Sequence, residues 1–218
     1  MTTAPDDDWV ALSTRTLSGW PWPSESWGMD PMFGPDGWCR SCGAPLHGQT
    51  GPLTVEGRGF PRSQVWMPNW KFDIVCVSAE VALELAEACR VDLRDVHRPR
   101  DGATGFKQIL PRQGVEAWYE PILLAKAVTV RHAEFEGDRT GGTCTSCGRW
   151  RWLPVAEGDV PVELAALPDC SDVVASPEIF GGGMSAFRHL LFRRHCAELL
   201  VAANPRSWSI VTVPMAST

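Results

Sequence analysis

Two short stretches of this sequence carry residue types at the spacing that metal chemistry requires. Cys39-Arg-Ser-Cys42-Gly43 recurs as Cys144-Thr-Ser-Cys147-Gly148. Two residues between cysteines let one tight turn present both sulfurs to a single tetrahedral ion, and the glycine relieves the crowded position behind them. One such turn says little. Two with the same internal serine and trailing glycine predict metal binding. The favoured arrangement is one structural zinc per chain, held by Cys39, Cys42, Cys144 and Cys147. It closes a loop of about 100 residues between Cys42 and Cys144, at roughly 4.7 kcal/mol of chain entropy. Structural zinc contributes ~10–16 kcal/mol in small peptides, enough to offset that closure. The alternative is an ion at each turn, with extra ligands from His47, Cys76 and Cys89 or from Cys170, His189, His195 and Cys196. Outside that alternative, Cys76, Cys89, Cys170 and Cys196 read as core packing, since cysteine is among the most often buried residue types.

Enzyme readings fit less well. His132-Ala-Glu134 ahead of Cys144-Thr-Ser-Cys147 imitates a zinc deaminase, which needs H-x-E on one helix and P-C-x-x-C on the next. Thr143 stands where the proline should be, and the interval is too short for the elements between. A thioredoxin-like site would open a helix, yet Gly43-Ala-Pro45 and Arg149-Trp-Arg-Trp-Leu-Pro154 read as turn and strand. His195 and Cys196 are neighbours on an expected helix and so point about 100° apart. No phosphate-binding loop, dinucleotide fingerprint or nucleophile elbow is present. No enzyme activity is therefore expected. Arg149 and Arg151 interleaved with Trp150 and Trp152 could contact nucleic acid, but the alternation equally describes a strand with indoles inward and arginines outward.

The elements that must carry the cysteine turns suggest a diverged duplication within an α+β body. Asp73-Ile-Val-Cys-Val-Ser78-Ala-Glu80-Val81 downstream of the first turn resembles Asp172-Val-Val-Ala-Ser176-Pro-Glu178-Ile179 downstream of the second. Each reads as a short β-rich run ending in a serine N-cap with a glutamate in the first helical turn. The expected fold is two similar zinc-ribbon-like halves, 38–140 and 141–218, joined by the shared four-cysteine site, with residues 1–37 as an arm packed on the body. The first helix spans Ser78–Arg90, with Val81, Leu85, Ala88 and Cys89 on one face. A longer one spans Ser185–Ala203. Strands are expected at Phe106–Leu110, Val115–Glu120, Lys126–Arg131 and Ser207–Val213.

Composition narrows the function classes. The 218 residues carry a formal charge of −6, and residues 1–37 hold six acids against the single base Arg15. The acidic excess is thus local, and no Lys/Arg stripe marks a nucleic-acid surface. No apolar run is long enough for a transmembrane helix, and the N-terminus lacks the basic and apolar regions of a signal peptide. A cytoplasmic protein is expected, and in a reducing compartment paired cysteines read as metal ligands before disulfides. Eleven tryptophans stand against one tyrosine, and Trp9, Trp20, Trp22 and Trp27 recur among prolines in the arm.

The length and the two C-x-x-C-G motifs roughly 100 residues apart resemble the double-CXXCG-motif immunity proteins of myxobacterial contact-dependent toxin systems. The matching positions are Cys39, Cys42, Gly43, Cys144, Cys147 and Gly148. The resemblance implies a small cytosolic protein that binds a cognate toxin domain and blocks it without turnover, with the cysteine turns structural. An acidic surface suits steered binding to a basic active-site cleft. Candidate toxin-binding residues are Asp6, Asp7, Asp8, Trp20, Trp22, Trp66 and Trp70. A zinc-ribbon nucleic-acid-binding or regulatory protein is the alternative, and a CxxC redox protein stands behind it.

Overall fold

The computed structural model describes residues 8–15, 20–56, 63–134 and 139–216. In chain order its elements are β1 (Trp9–Thr14), α1 (Met29–Phe33), β2 (Val65–Trp66), β3 (Cys76–Ser78), α2 (Ala79–Ala88), β4 (Asp92–Arg98), β5 (Gly102–Leu110), β6 (Arg112–Gln113), α3 (Pro121–Arg131), β7 (Gly141–Thr143), β8 (Trp150–Trp152), β9 (Val162–Glu163), β10 (Val173–Ala175), β11 (Leu190–Arg193), α4 (Arg194–Ala203), β12 (Trp208–Thr212) and β13 (Met215–Ala216). The fold is mixed α+β, as the sequence led us to expect. Among the described residues, regular repetition of one half in the other is not seen beyond the cysteine turns and the short strands β3 and β10.

A five-stranded sheet in the order β12-β1-β11-β10-β6 divides the core. Side chains alternate across it, as the period of a strand requires. Val10, Val173, Ala175 and Phe192 join the cluster with Trp66, Leu85, Cys196 and Trp208. Trp9, Ala11, Val174 and Leu191 face the other cluster, with Trp118, Tyr119, Leu124 and Phe180. On the first side lies a four-stranded antiparallel sheet, β2-β3-β5-β4. Strand β1 falls inside the stretch expected to be an arm, yet it sits in the sheet between β11 and β12. Trp9, Val10 and Ala11 are all buried, so its run shows no polar–apolar alternation to read.

The first expected helix forms as α2. Ser78 Oγ accepts the Val81 N–H at 3.3 Å, and Val81, Ala82 and Leu85 are buried. Three other expectations are corrected. The strand expected at Lys126–Arg131 lies within helix α3, because Pro121 opens the helix and the Glu120 carboxylate accepts the Ile122 and Leu123 N–H groups. Leu124 and Val128, one turn apart, are the residues it buries. The stretch Val115–Glu120 is not a strand: Val115 is exposed, while Trp118 and Tyr119 are buried and both give their N–H groups to Glu178 Oε1. The long helix expected over 185–203 breaks in two. Leu190–Arg193 pairs with β1 and β10 as β11, and only Arg194–Ala203 is helical. A continuous apolar run such as Leu190-Leu-Phe192 carries no period that separates a buried strand from a buried helix.

Candidate metal centre

Each cysteine turn is the tip of a small antiparallel ladder. The second joins β7 to β8, pairing Thr143 with Trp150, and the first is flanked by a bridge pairing Trp38 with Pro45. In both, the cysteine N–H returns to a carbonyl beyond the turn: Cys39 to Ala44 and Cys144 to Arg149, each at 2.9 Å. Gly43 (φ 74°) and Gly148 (φ 72°) take the left-handed backbone that follows, each donating its N–H to the first cysteine's carbonyl at 2.7 and 2.8 Å. Gly43 has a second reason to be glycine. A Cβ there would lie 1.9 Å from the Gly183 carbonyl oxygen.

The turns meet equivalent residue to equivalent residue. Cys39 Sγ lies 3.8 Å from Cys144 Sγ, Cys42 Sγ lies 3.7 Å from Cys147 Sγ, and the Ser41 and Ser146 hydroxyls share a 2.7 Å hydrogen bond. All four sulfurs fall within 4.8 Å of one another. Zinc bonded tetrahedrally at about 2.3 Å to four thiolates sets its sulfurs about 3.8 Å apart along each edge, so the spacing and the donor set both fit that ion. Cys39, Cys42 and Cys144 are buried, beside Ala44, Ile179 and Ala186. Four protein ligands fill a tetrahedron and leave no position for a substrate, which is the arrangement of a structural site. Burial, reinforced by the neighbouring sulfurs, pushes the Cys42 thiol up to about 12, whereas the N–H groups of Cys147 and Ser146 bring Cys144 down to about 6. Bringing all four to thiolates therefore calls for a compensating cation.

The residues considered for separate ions lie elsewhere. His47 Nδ1 donates to the Gly48 carbonyl at 2.9 Å, and Cys76 is buried in β3. His189 lies in the core, stacked on Phe180 with centroids 3.9 Å apart. Its Nε2 faces the Val155 carbonyl at 3.0 Å, which fixes the proton there, so Nδ1 accepts the Tyr119 hydroxyl at 2.6 Å. The core-packing reading of the other cysteines holds for Cys76, holds in part for Cys89 and Cys196, which are buried in the core, and fails for Cys170. Cys170 is exposed, and Cys89 and Cys196 form a disulfide. His195 Nε2 reaches 3.5 Å from Cys196 Sγ, so these neighbours do converge in the first turn of α4. In the deaminase-like string, His132 Nε2 donates to the Pro154 carbonyl at 2.7 Å. The Arg149 guanidinium is occupied by the Pro45 and Leu46 carbonyls, and the strand pattern at 149–152 is only half met, because Trp150 is exposed.

Of the residues considered for partner binding, Asp6 and Asp7 lie outside the described residues. Asp8 is exposed, its carbonyl accepting the Arg194 N–H at 2.8 Å and its carboxylate 3.7 Å from the Arg194 guanidinium. Trp20 and Trp66 are buried and unable to meet a partner; Trp20 stacks on Trp208 at 5.7 Å. Trp22 and Trp70 are 46% and 52% exposed. They sit on adjoining loops, since the Asn69 N–H donates to the Pro21 carbonyl and the Asn69 amide to that of Trp20. Residue type carries no sign of the backbone beneath them. Glu25, Ser26, Trp27 and Gly28 all have positive φ (48°, 57°, 59° and 78°), as does Trp70 (62°). Among the described residues, no other non-glycine residue does. Also missed was a cavity of about 410 Å³ between the two sheets. Buried Lys71 donates there to the Met184 carbonyl, and Asp73 accepts the Arg188 N–H. Comparison with models of known protein families and with curated proteins finds no match.

Proposed function

We propose that this protein is a cytoplasmic immunity protein, which binds a cognate toxin domain and occludes its active site without turnover. In this reading a zinc ion at the four-cysteine centre is structural and joins two halves of a diverged duplication. The observation that carries the binding role is the pair of left-handed loops. Left-handed backbone costs a non-glycine residue roughly 1–2 kcal/mol, and such strain collects where function needs it. Here it presents indoles to solvent: Trp22 against Trp27 edge-on at 5.5 Å, and Trp70 against Phe72 at 6.1 Å. Rigid, half-exposed tryptophans on adjoining loops have the chemistry of anchors in a tight protein interface. Acidic residues of the N-terminal stretch would steer the approach of a basic partner.

The test is co-expression with the toxin domain encoded beside this gene. Growth should be rescued by the wild type and lost on combined Trp22→Ala and Trp70→Ala substitution, with the melting temperature kept. A neighbour that is harmless, or a toxin that kills despite this protein, removes the immunity reading. Full rescue by the double variant moves the interface away from these loops.

A further inference from the structure

A second set of metal-ligating atoms converges where the end of α2 meets the start of α4. The Cys89–Cys196 disulfide links residues 107 positions apart, with Cα atoms 6.2 Å apart. Both Sγ atoms and a ring nitrogen of His195 lie within 4.8 Å of one another. Asp172 Oδ2 is 3.7 Å from His195 Nε2. Its carboxylate is held in place by the Arg90 backbone N–H at 2.8 Å and by the Arg90 guanidinium at 3.1 and 2.6 Å. The group opens to solvent through a depression lined by Glu87, Cys89, Arg90, Asp172, Arg193 and His195.

A disulfide needs two sulfurs and nothing more. An imidazole beside the sulfurs makes a two-sulfur, one-nitrogen donor set, which suits zinc. The oriented Asp172 carboxylate stands next to the imidazole, outside the cluster of the other three, where it can add an oxygen once the sulfurs part. Ligand atoms around tetrahedral zinc lie about 3.3–3.8 Å apart. The spacings from His195 Nε2 to Cys196 Sγ (3.5 Å) and to Asp172 Oδ2 (3.7 Å) already have that size. We propose that, once the disulfide is reduced, Cys89, Cys196 and His195 bind a zinc ion with Asp172 as fourth ligand, forming a second metal site that competes with the disulfide.

The exchange balances. A two-electron reductant breaks the Sγ–Sγ bond, each sulfur gaining one electron and one proton, and zinc then displaces the two thiol protons to solvent. In reverse, a low-molecular-weight disulfide accepts two electrons and leaves as two thiols, the Sγ–Sγ bond re-forms, and zinc is released.

The test is zinc stoichiometry of the full chain, equilibrated with zinc, freed of excess by gel filtration, and measured by mass spectrometry. One sample is oxidised, and one is reduced by a phosphine, which takes an oxygen from water and becomes its oxide. The reduced protein should carry one zinc more than the oxidised protein. That difference is the readout whether or not the four-cysteine centre is loaded, so failure here is separable from failure there. Cys89→Ser should abolish the difference. His195→Ala, which keeps both cysteines and the disulfide, should weaken the additional ion roughly 10-fold or more against a chelator. Equal zinc in both states overturns the proposal, as does an additional ion that binds His195→Ala as tightly as wild type.

Discussion

Removing one sulfur from the four-cysteine centre should cost this protein most of its stability, and the size of the loss follows from the chain connectivity. A bound ion would tie Cys39 and Cys42 to Cys144 and Cys147, each pair 105 residues apart. Closing a loop of about 100 residues costs roughly 4.7 kcal/mol. The Cys89–Cys196 disulfide interleaves with this link, so the unfolded chain has a second path of similar length between the turns. The two paths share the stretch from Cys42 to Cys89 and divide only beyond it, so the effective loop shortens by roughly a quarter and the closure cost falls by about 0.3 kcal/mol, to around 4.4. Against this stand the ~10–16 kcal/mol that zinc contributes when it folds small peptides. The surplus, about 6–12 kcal/mol, is comparable to the whole stability of an ordinary domain, ~5–15 kcal/mol. Cys42→Ser replaces the fully buried ligand with a hydroxyl that zinc binds poorly. Even a loss of about 3–4 kcal/mol lowers the melting temperature by roughly 10 °C at this chain length. Cys76→Ala is the control, since Cys76 is equally buried but sits in β3, outside the cluster; it should cost only about 1 kcal/mol. Thermal melts by circular dichroism, with zinc counted before and after, decide the matter. If Cys42→Ser melts no lower than Cys76→Ala and keeps the same zinc content, the metal does not hold the turns together.

His189 should make stability fall with acid. Burial lowers its pKa from the ordinary 6.5 to about 3, so the unfolded chain takes up a proton that the folded one refuses. The contribution is intact above pH 6.5 and is lost as pH falls towards 3, at about 1.4 kcal/mol per pH unit. Urea midpoints of wild type and His189→Gln should converge as pH falls through that window, and a constant gap between them counts against the buried neutral imidazole. The two turn glycines should respond unequally to alanine. Gly148→Ala meets nothing within 4 Å and carries only the left-handed penalty of roughly 1–2 kcal/mol. Gly43→Ala adds a collision with the Gly183 backbone and should lower the melting temperature clearly further; equal shifts would contradict that packing. Finally, Glu25→Gly should stabilise the protein by roughly 1 kcal/mol, because glycine adopts positive φ without penalty. A loss of stability in urea unfolding would rule out the left-handed turn.

What could be read from the sequence was local. The cysteine turns declare themselves because the ligand spacing and the glycine behind it lie within five residues. Helix α2 does so because Ser78 caps it and Val81 and Leu85 share a face. The failures are long-range. Nothing near Cys89 or Cys196 records a partner 107 residues away, so both read as core residues, which they are, without the bond that joins them. Leu190-Leu-Phe192 looked like part of a helix because it is buried on both faces, and its strand identity comes from β1 and β10 beside it. Among the tryptophans, residue type could not separate Trp22 and Trp70 at the surface from Trp20 and Trp66 in the core. Their burial depends on which sheet or loop closes over each ring, and Trp20 is covered by Trp208 from the far end of the chain.

The centre and the indole loops are mechanically connected, and energies indicate how. Three non-glycine residues with positive φ at 25–27 cost roughly 3–6 kcal/mol in all. Polar contacts tie that turn to the first cysteine turn: Ser26 Oγ donates to Asp30 Oδ2 at 2.6 Å, and Arg40, between Cys39 and Cys42, donates to Asp30 Oδ1 at 2.7 Å. The Ser26 hydroxyl, then the Trp38 indole and Arg40, hold the Asp30 carboxyl below its usual range against the effect of burial. An ion pair as exposed as Arg40–Asp30 is worth at most about 1 kcal/mol. It cannot hold the turn alone. Met29 and Met32 of α1, each 2% exposed and in the same core cluster as Trp38, contribute ~1.5–3 kcal/mol each by burial, which matches the strain. Trp38 is the residue before Cys39, so its position is set by the turn that the ion would fix. On this account zinc loss would release Trp22 and Trp27 from their presentation without the ion ever touching a partner. Under the proposed function, binding by the indole face would then depend on the metal through packing alone.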